Sequence, residues 1–272
     1  MMDFADDYIA PDIHRRIEAE LDAVEQQHGV RILLAVESGS RAWRFPSRDS
    51  DYDVRFIYQQ PVESYLAVRP RRDVIERPID ATLDVNGWDL RKAMQLMLRS
   101  NAVLLEWLCS PVRYRNVSEV TAPFAALARE TADLTALSYH YDRQARRSFE
   151  EILFATDGVR LKTYFYALRP ALALQWMRLK HEPPPMDLPT LMAGLTLSDE
   201  LRRNVGDLLV NKAGGEEGDL SERIMAVDEF IGTILSEPVG QPSLFDRKRN
   251  TARADALFAS IVLKRQTVAE NS

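Results

Sequence analysis

Residues 37–55 hold two features with the chemistry of a metal-assisted phosphate site. Gly39-Ser40 is a small-residue pair, and after a gap of ten residues Asp51 and Asp53 stand at i and i+2. On an extended strand, i and i+2 side chains leave the same face. Two carboxylates converging there offer hard oxygens suited to a small divalent cation such as Mg²⁺. Gly39 frees the backbone to turn closely, and Ser40 adds a hydroxyl and an N–H for a phosphate oxygen. Arg41, Arg44 and Arg48 add positive charge nearby. A cation beside a phosphate-binding turn is the chemistry of phosphoryl or nucleotidyl transfer.

The flanking residues read as the elements that would hold this arrangement. RILLAVE, residues 31–37, is a short apolar run ending at the Gly-Ser pair, and YDVRFIY, residues 52–58, is aromatic and β-branched. Both read as strands. An isolated Gly-Ser pair is ordinarily only a turn, and acidic runs are ordinarily solvated. The segment starting at Asp49 also looks like the opening of a calcium loop, but that loop needs Gly at its sixth position and Glu at its twelfth. Val54 and Gln60 stand there instead. The strand-turn-strand setting is what separates the stretch from these simpler readings.

GSRAWRFPSRDSDYDVRFIY, residues 39–58, resembles the signature of the DNA polymerase β nucleotidyltransferase superfamily: Gly-Ser, a gap, then Asp-x-Asp and a hydrophobic residue. The longer string is similar to one branch, the nucleotidyltransferases of the RNA-repair-pathway DNA polymerase β family. The likeness continues in WDLRKA (88–93), Ser100-Asn101, LEWL (105–108), LKTYFYALRP (161–170) and Gln175-Trp176. Arg44 departs from it, since such sequences commonly carry Gly there. The resemblance implies Mg²⁺, or Mn²⁺, held by Asp51 and Asp53, with a nucleoside triphosphate as substrate and pyrophosphate as leaving group. Gly39, Ser40 and Arg41 would bind its phosphates.

The resemblance also implies a third carboxylate, for which Asp84 and Asp89 compete. IDATLDV, residues 79–85, alternates as a strand, with Leu83 and Val85 facing a core and Asp84 facing away. Parity favours Asp84 as the third catalytic and metal-site acid. Asp89 is explained as a helix N-cap after Gly87 breaks the strand. In the second half, Lys162, Tyr164, Tyr166 and Arg169 fall near one helical face. Lys162 or Arg169 would reach triphosphate oxygens, with the aromatic residues either stacking on a base or serving as core.

The remaining chain frames these residues. Its 272 residues are 46% hydrophobic and 28% charged, with a net charge of -6. That balance lacks the basic surplus of a generic nucleic-acid binder, and a nucleotide carried with a cation does not require one. No apolar run is long enough to cross a membrane. The first residues lack a secretory pattern, and Cys109 is the lone cysteine, so neither a disulfide-linked partner nor a thiolate zinc site is expected. A cytoplasmic location follows.

Residues 11–29 read as an amphipathic helix carrying Ile13, Ile17, Leu21 and Val24, and residues 89–107 as one further helix. Beyond residue 121 nearly everything reads as helical, with Pro170 kinking or splitting a helix over 159–180. The expected fold is α+β: a polymerase-β-like core with a small mixed sheet and flanking helices over residues 1–118, then an all-α domain over 119–272. The expected activity is transfer of a nucleoside monophosphate to a hydroxyl acceptor, such as an RNA end. A protein acceptor and a catalytically silent nucleotide sensor are the alternatives, and the intact Asp51 and Asp53 argue against the silent one.

Overall fold

The protein is represented by a computed structural model describing residues 9–77, 82–216, 218–240 and 245–269, with side chains described up to residue 263. Helix α1 (Pro11–His28) leads into strand β1 (Arg31–Ser38), a single short turn of helix α2 (Gly39–Ala42) and strand β2 (Tyr52–Gln59). Then come α3 (Val62–Leu66), β3 (Val74–Glu76), β4 (Leu83–Asp89), α4 (Leu90–Met97), α5 (Ala102–Cys109) and β5 (Arg113–Asn116). The second half is α6 (Ser118–Glu130), α7 (Leu134–Leu153), β6 (Val159–Arg160), α8 (Leu161–Lys180), α9 (Leu188–Ala193), α10 (Asp199–Gly214), β7 (Leu220–Ser221), α11 (Met225–Ser236) and α12 (Arg247–Ala269). The fold is thus α+β, with a small mixed sheet followed by helices.

The five-stranded sheet has the order β3-β4-β2-β1-β5. β1 pairs antiparallel with both β2 and β5, whereas β2 and β4 run parallel. Apolar side chains leave the sheet on both sides. Val54, Phe56 and Tyr58 of β2 and Leu83 and Val85 of β4 join Ile17, Leu21 and Val24 of α1 in one cluster. Val36 and Ile57 leave the other face and join the larger cluster built from the helices. Burial on both faces is why β1 reads as an unbroken apolar run rather than an alternating one.

Several elements depart from the sequence reading for identifiable reasons. The helix expected over residues 89–107 is two helices, because Ser100 adopts a left-handed φ of 50° and Asn101 caps α5 by accepting the Leu104 N–H. Gly87 does not break its strand. β4 continues through it to Asp89, and Gly87 is required because a Cβ there would stand 2.2 Å from the Phe56 ring. Helix α8 runs unbroken through Pro170. Within the stretch beyond residue 121 that reads as nearly all helical, residues 220–221 instead pair with β6 as a two-stranded ribbon, and α11 begins at Met225. Residues 79–81, the start of the alternating strand, lie outside the described residues. None of the described helices is long and apolar enough to cross a membrane.

Candidate active site

The parallel pairing of β2 with β4 sets Asp53 directly opposite Asp84. Both leave the sheet on the face away from α1, because their neighbours Val54, Leu83 and Val85 fill the α1 side. Arg55, two residues after Asp53, shares that face. Its Nη2 donates to Asp53 Oδ1 at 3.1 Å and to Asp84 Oδ2 at 2.8 Å, and its Nη1 donates to the carbonyls of Val54 and Asp84, each at 3.1 Å. Asp51 lies one residue before β2 and is exposed.

Burial raises the Asp53 pKa above the usual carboxylate range. The charges of Asp84 and Asp51 push it further up, while Arg55 and Lys162 pull it back. Three carboxylates and two cations therefore act on one another at this end of the sheet. Lys162 comes from the first turn of α8, so the second half of the chain contributes one of these charges.

The Gly-Ser turn closes over Asp53. Gly39 has a φ of 68°, and a Cβ there would lie 2.3 Å from Asp53 Oδ2. Both the backbone conformation and the space therefore demand glycine. The Gly39 and Ser40 carbonyls accept the N–H groups of Trp43 and Phe45. Trp43 then ties the turn to the helices: its Nε1 donates to Glu106 Oε2 at 3.3 Å, its ring lies edge-on to Tyr166, and Phe45 stacks on Phe165 at 4.7 Å. Arg44 has a φ of 68°, a left-handed backbone conformation that favours glycine.

Two arginines do other work than expected. Arg41, expected at the phosphates, is buried; it donates through Nε to the Asp51 carbonyl and through Nη2 to the Ser50 carbonyl, and its guanidinium lies 3.9 Å from the centre of the Tyr52 ring. It fixes the loop that presents Asp51. Arg169, expected at the triphosphate, is only 2% exposed and forms a buried ion pair with Glu106 at 2.8 Å. Glu106 also accepts the Tyr141 hydroxyl at 3.0 Å, and the Arg169 guanidinium lies 4.2 Å from the Trp43 ring centre. Both charges are buried, and Arg169 also donates through Nη1 to the Met186 carbonyl at 3.2 Å, which holds it inside the helical core. Tyr164 is a core residue accepting the Ile224 N–H, while Tyr166 stays half-buried beside Lys162.

Asp89 caps α4 by accepting the Arg91 N–H at 2.8 Å and also takes the Tyr65 hydroxyl at 2.9 Å. It is buried, as strand parity requires of a residue on the Leu83 and Val85 side.

Three residues received no role from the sequence. Glu37, next to last in β1, is fully buried, with Oε1 accepting the Asp53 backbone N–H at 2.8 Å and Oε2 accepting the Tyr114 hydroxyl. Burial raises its pKa to about 7 against the lowering effect of those two hydrogen bonds. Its signal was a charge ending an apolar strand. Arg55 could have been found by its i+2 spacing from Asp53, and Glu106 as the lone charge in the apolar helix AVLLEWLC.

The donor set fits a divalent ion. Asp51 and Asp53 supply hard oxygens, and the crowding of negative charge around Asp53 is what a bound cation would relieve. Among the described residues, no three His, Cys, Asp or Glu side chains group as ligands of one ion. Mg²⁺ does not require such a cage, since it commonly takes one or two carboxylates plus phosphate oxygens and water.

The sequence matches the RNA repair pathway DNA polymerase beta family over residues 13–260, from α1 into α12. The chain belongs to that family. Within the RNA repair pathway DNA polymerase beta family match lie both the sheet with its aspartates and α8 with Lys162. Protein YcgL of Bacillus subtilis (strain 168), itself uncharacterized, is 46% identical over 221 residues, which is 81% of this chain and 85% of that one. A solved nucleotidyltransferase-like protein from Exiguobacterium sibiricum 255-15 is similar at 12% identity and a TM-score of 0.29, over 81% of this chain and 74% of that chain.

Proposed function

We propose that this chain is a metal-dependent nucleotidyltransferase that moves a nucleoside monophosphate from a nucleoside triphosphate to a hydroxyl acceptor, an RNA end being the favoured one. The observation that carries the reading is the pairing of Asp53 with Asp84 across β2 and β4, with Asp51 one residue before β2 and bearing on the Asp53 charge, beneath a glycine turn that leaves no room for a side chain. Asp51 and Asp53 are the residues that would hold Mg²⁺, or Mn²⁺. When bound there, the ion neutralises phosphate charge and orients the triphosphate for in-line attack.

The protein's own residues do the rest. Ser40 offers its hydroxyl and N–H to the terminal phosphates across the Gly39 turn. Lys162, from the first turn of α8, adds a positive charge that bears on Asp53. Arg41 and Glu37 hold the Asp51 loop and the Asp53 backbone, so the carboxylates meet substrate in a fixed geometry. Asp84, opposite Asp53, is the acid that would take the proton from an acceptor hydroxyl. The RNA preference rests on the family's repair association; a protein acceptor is the other outcome of the test.

The test is incubation of purified protein with each α-labelled nucleoside triphosphate, Mg²⁺ and cell extract, followed by nuclease or protease. A labelled product destroyed by nuclease, and lost in Asp51→Asn and Asp53→Asn, is the expected result. Full Mg²⁺-dependent labelling by a folded variant lacking both carboxylates would sink the mechanism.

A further inference from the structure

The third acid of the cluster already has a cation. Arg55 Nη2 bridges Asp53 Oδ1 and Asp84 Oδ2, and Nη1 is bound to two main-chain carbonyls of the same strands. The four hydrogens on the two Nη nitrogens are matched by four acceptors, so the guanidinium is fixed rather than swinging. It sits at the position where a second divalent ion would have to lie to bridge Asp53 and Asp84. Arginine stays protonated throughout the working pH range, so its charge cannot be switched off to admit such an ion.

We infer that Arg55 takes the place of one divalent ion, so that this chain works with a single ion held by Asp51 and Asp53, and Asp84 orients Arg55 instead of ligating metal. The inference rests on the nucleotidyltransferase reading and narrows it. The position of Arg55 favours it, because i+2 spacing on β2 keeps the side chain on the face of Asp53, and the parallel register brings Asp84 alongside. The free oxygen of Asp53, Oδ2, is turned toward Gly39 and the phosphate turn. One carboxylate thus has one oxygen on the fixed cation and the other toward the substrate side.

The experiment counts Mn²⁺ by electron paramagnetic resonance on the full chain, saturated in turn with the α,β-methylene analogue of each of the four nucleoside triphosphates. Wild type should hold one ion per analogue-bound chain. Asp84→Asn should keep that ion with affinity within about twofold, a result that a metal-ligand role for Asp84 in a two-ion scheme would not produce. Arg55→Gln, checked for folding by circular dichroism, should admit a second ion, and Arg55→Lys should not. Two ions on wild type, or loss of an ion in Asp84→Asn, overturns the inference and leaves the nucleotidyltransferase reading standing. No ion with any analogue overturns both. If Arg55→Gln fails to fold, the Asp84→Asn count still decides.

Discussion

Replacing Glu37 by Gln isolates the cost of a buried acid beneath the active site. Glu37 is 0% exposed, and burial raises its pKa from 4.5 to about 7. Between those two values the folded chain keeps a proton that the unfolded chain has released. Stability therefore falls as pH rises through this window and levels off above it. Each tenfold difference in proton affinity corresponds to about 1.4 kcal/mol, so ionised Glu37 costs the fold on the order of 3 kcal/mol at pH 8. Gln copies the protonated acid: its oxygen accepts the Asp53 N–H, and its amide donates to the Tyr114 oxygen, whose hydroxyl rotates away. Glu37→Gln should be more stable than wild type by only about 0.8 kcal/mol at pH 5 and by roughly 3 kcal/mol at pH 8. Urea unfolding at pH 5, 6, 7 and 8 measures this, and the difference between the two proteins cancels every other titrating group. A difference that stays flat with pH, or a wild type more stable at pH 8, would show that Glu37 folds as a settled anion and would refute the reasoning.

Gly39→Ala forces a Cβ toward Asp53 Oδ2 at 2.3 Å and holds alanine at a φ of 68°, which costs about 1–2 kcal/mol by backbone strain alone. Asp53 must move to make room, so Mn²⁺ and nucleotide binding should fall by at least about tenfold while the chain still folds; unchanged binding in a folded variant would remove the turn from the site. Arg169→Ala leaves Glu106 buried beside Tyr141 and Trp43 without its charge partner, which should lower stability in urea unfolding by about 3–5 kcal/mol. Loss of nucleotide affinity in Arg169→Ala with no loss of stability would restore the triphosphate role that its burial denies it.

The elements around the site were legible because their signals are local. The Gly-Ser turn, the aromatic and β-branched strand and the alternation through Leu83 and Val85 each depend on neighbours within a few residues. The same locality explains the failures. Gly87 looked like a strand breaker because glycine usually is one, yet its need for space comes from Phe56 on the neighbouring strand. β3 and β5 are three and four residues long and carry no apolar run of their own. They are strands because the edges of β4 and β1 supply hydrogen bonds, which only tertiary structure reveals.

The site follows the same division. The strand that carries Asp53 could be read because its aromatic and β-branched run is a property of the chain itself, although Asp51 falls one residue before that strand, whereas the arginines could not be sorted. Arg41, Arg55 and Arg169 carry the same side chain and the same charge. They differ in which acceptors the fold brings to them: the Ser50 and Asp51 carbonyls, the Asp53–Asp84 pair, or Glu106 in the core. Sequence proximity to the Gly-Ser turn pointed to Arg41 and helical spacing pointed to Arg169, and both were drawn into fixed internal bonds. Arg55, unmarked beside the aspartates, is the one at the acidic pair. A charge on a long, flexible side chain is assigned by its partners, and those partners are set by strand register across residues far apart in the chain. Register, more than composition, therefore decides which cation serves the chemistry, and a β2–β4 pairing shifted by one residue would separate Arg55 from Asp84 without altering a single amino acid.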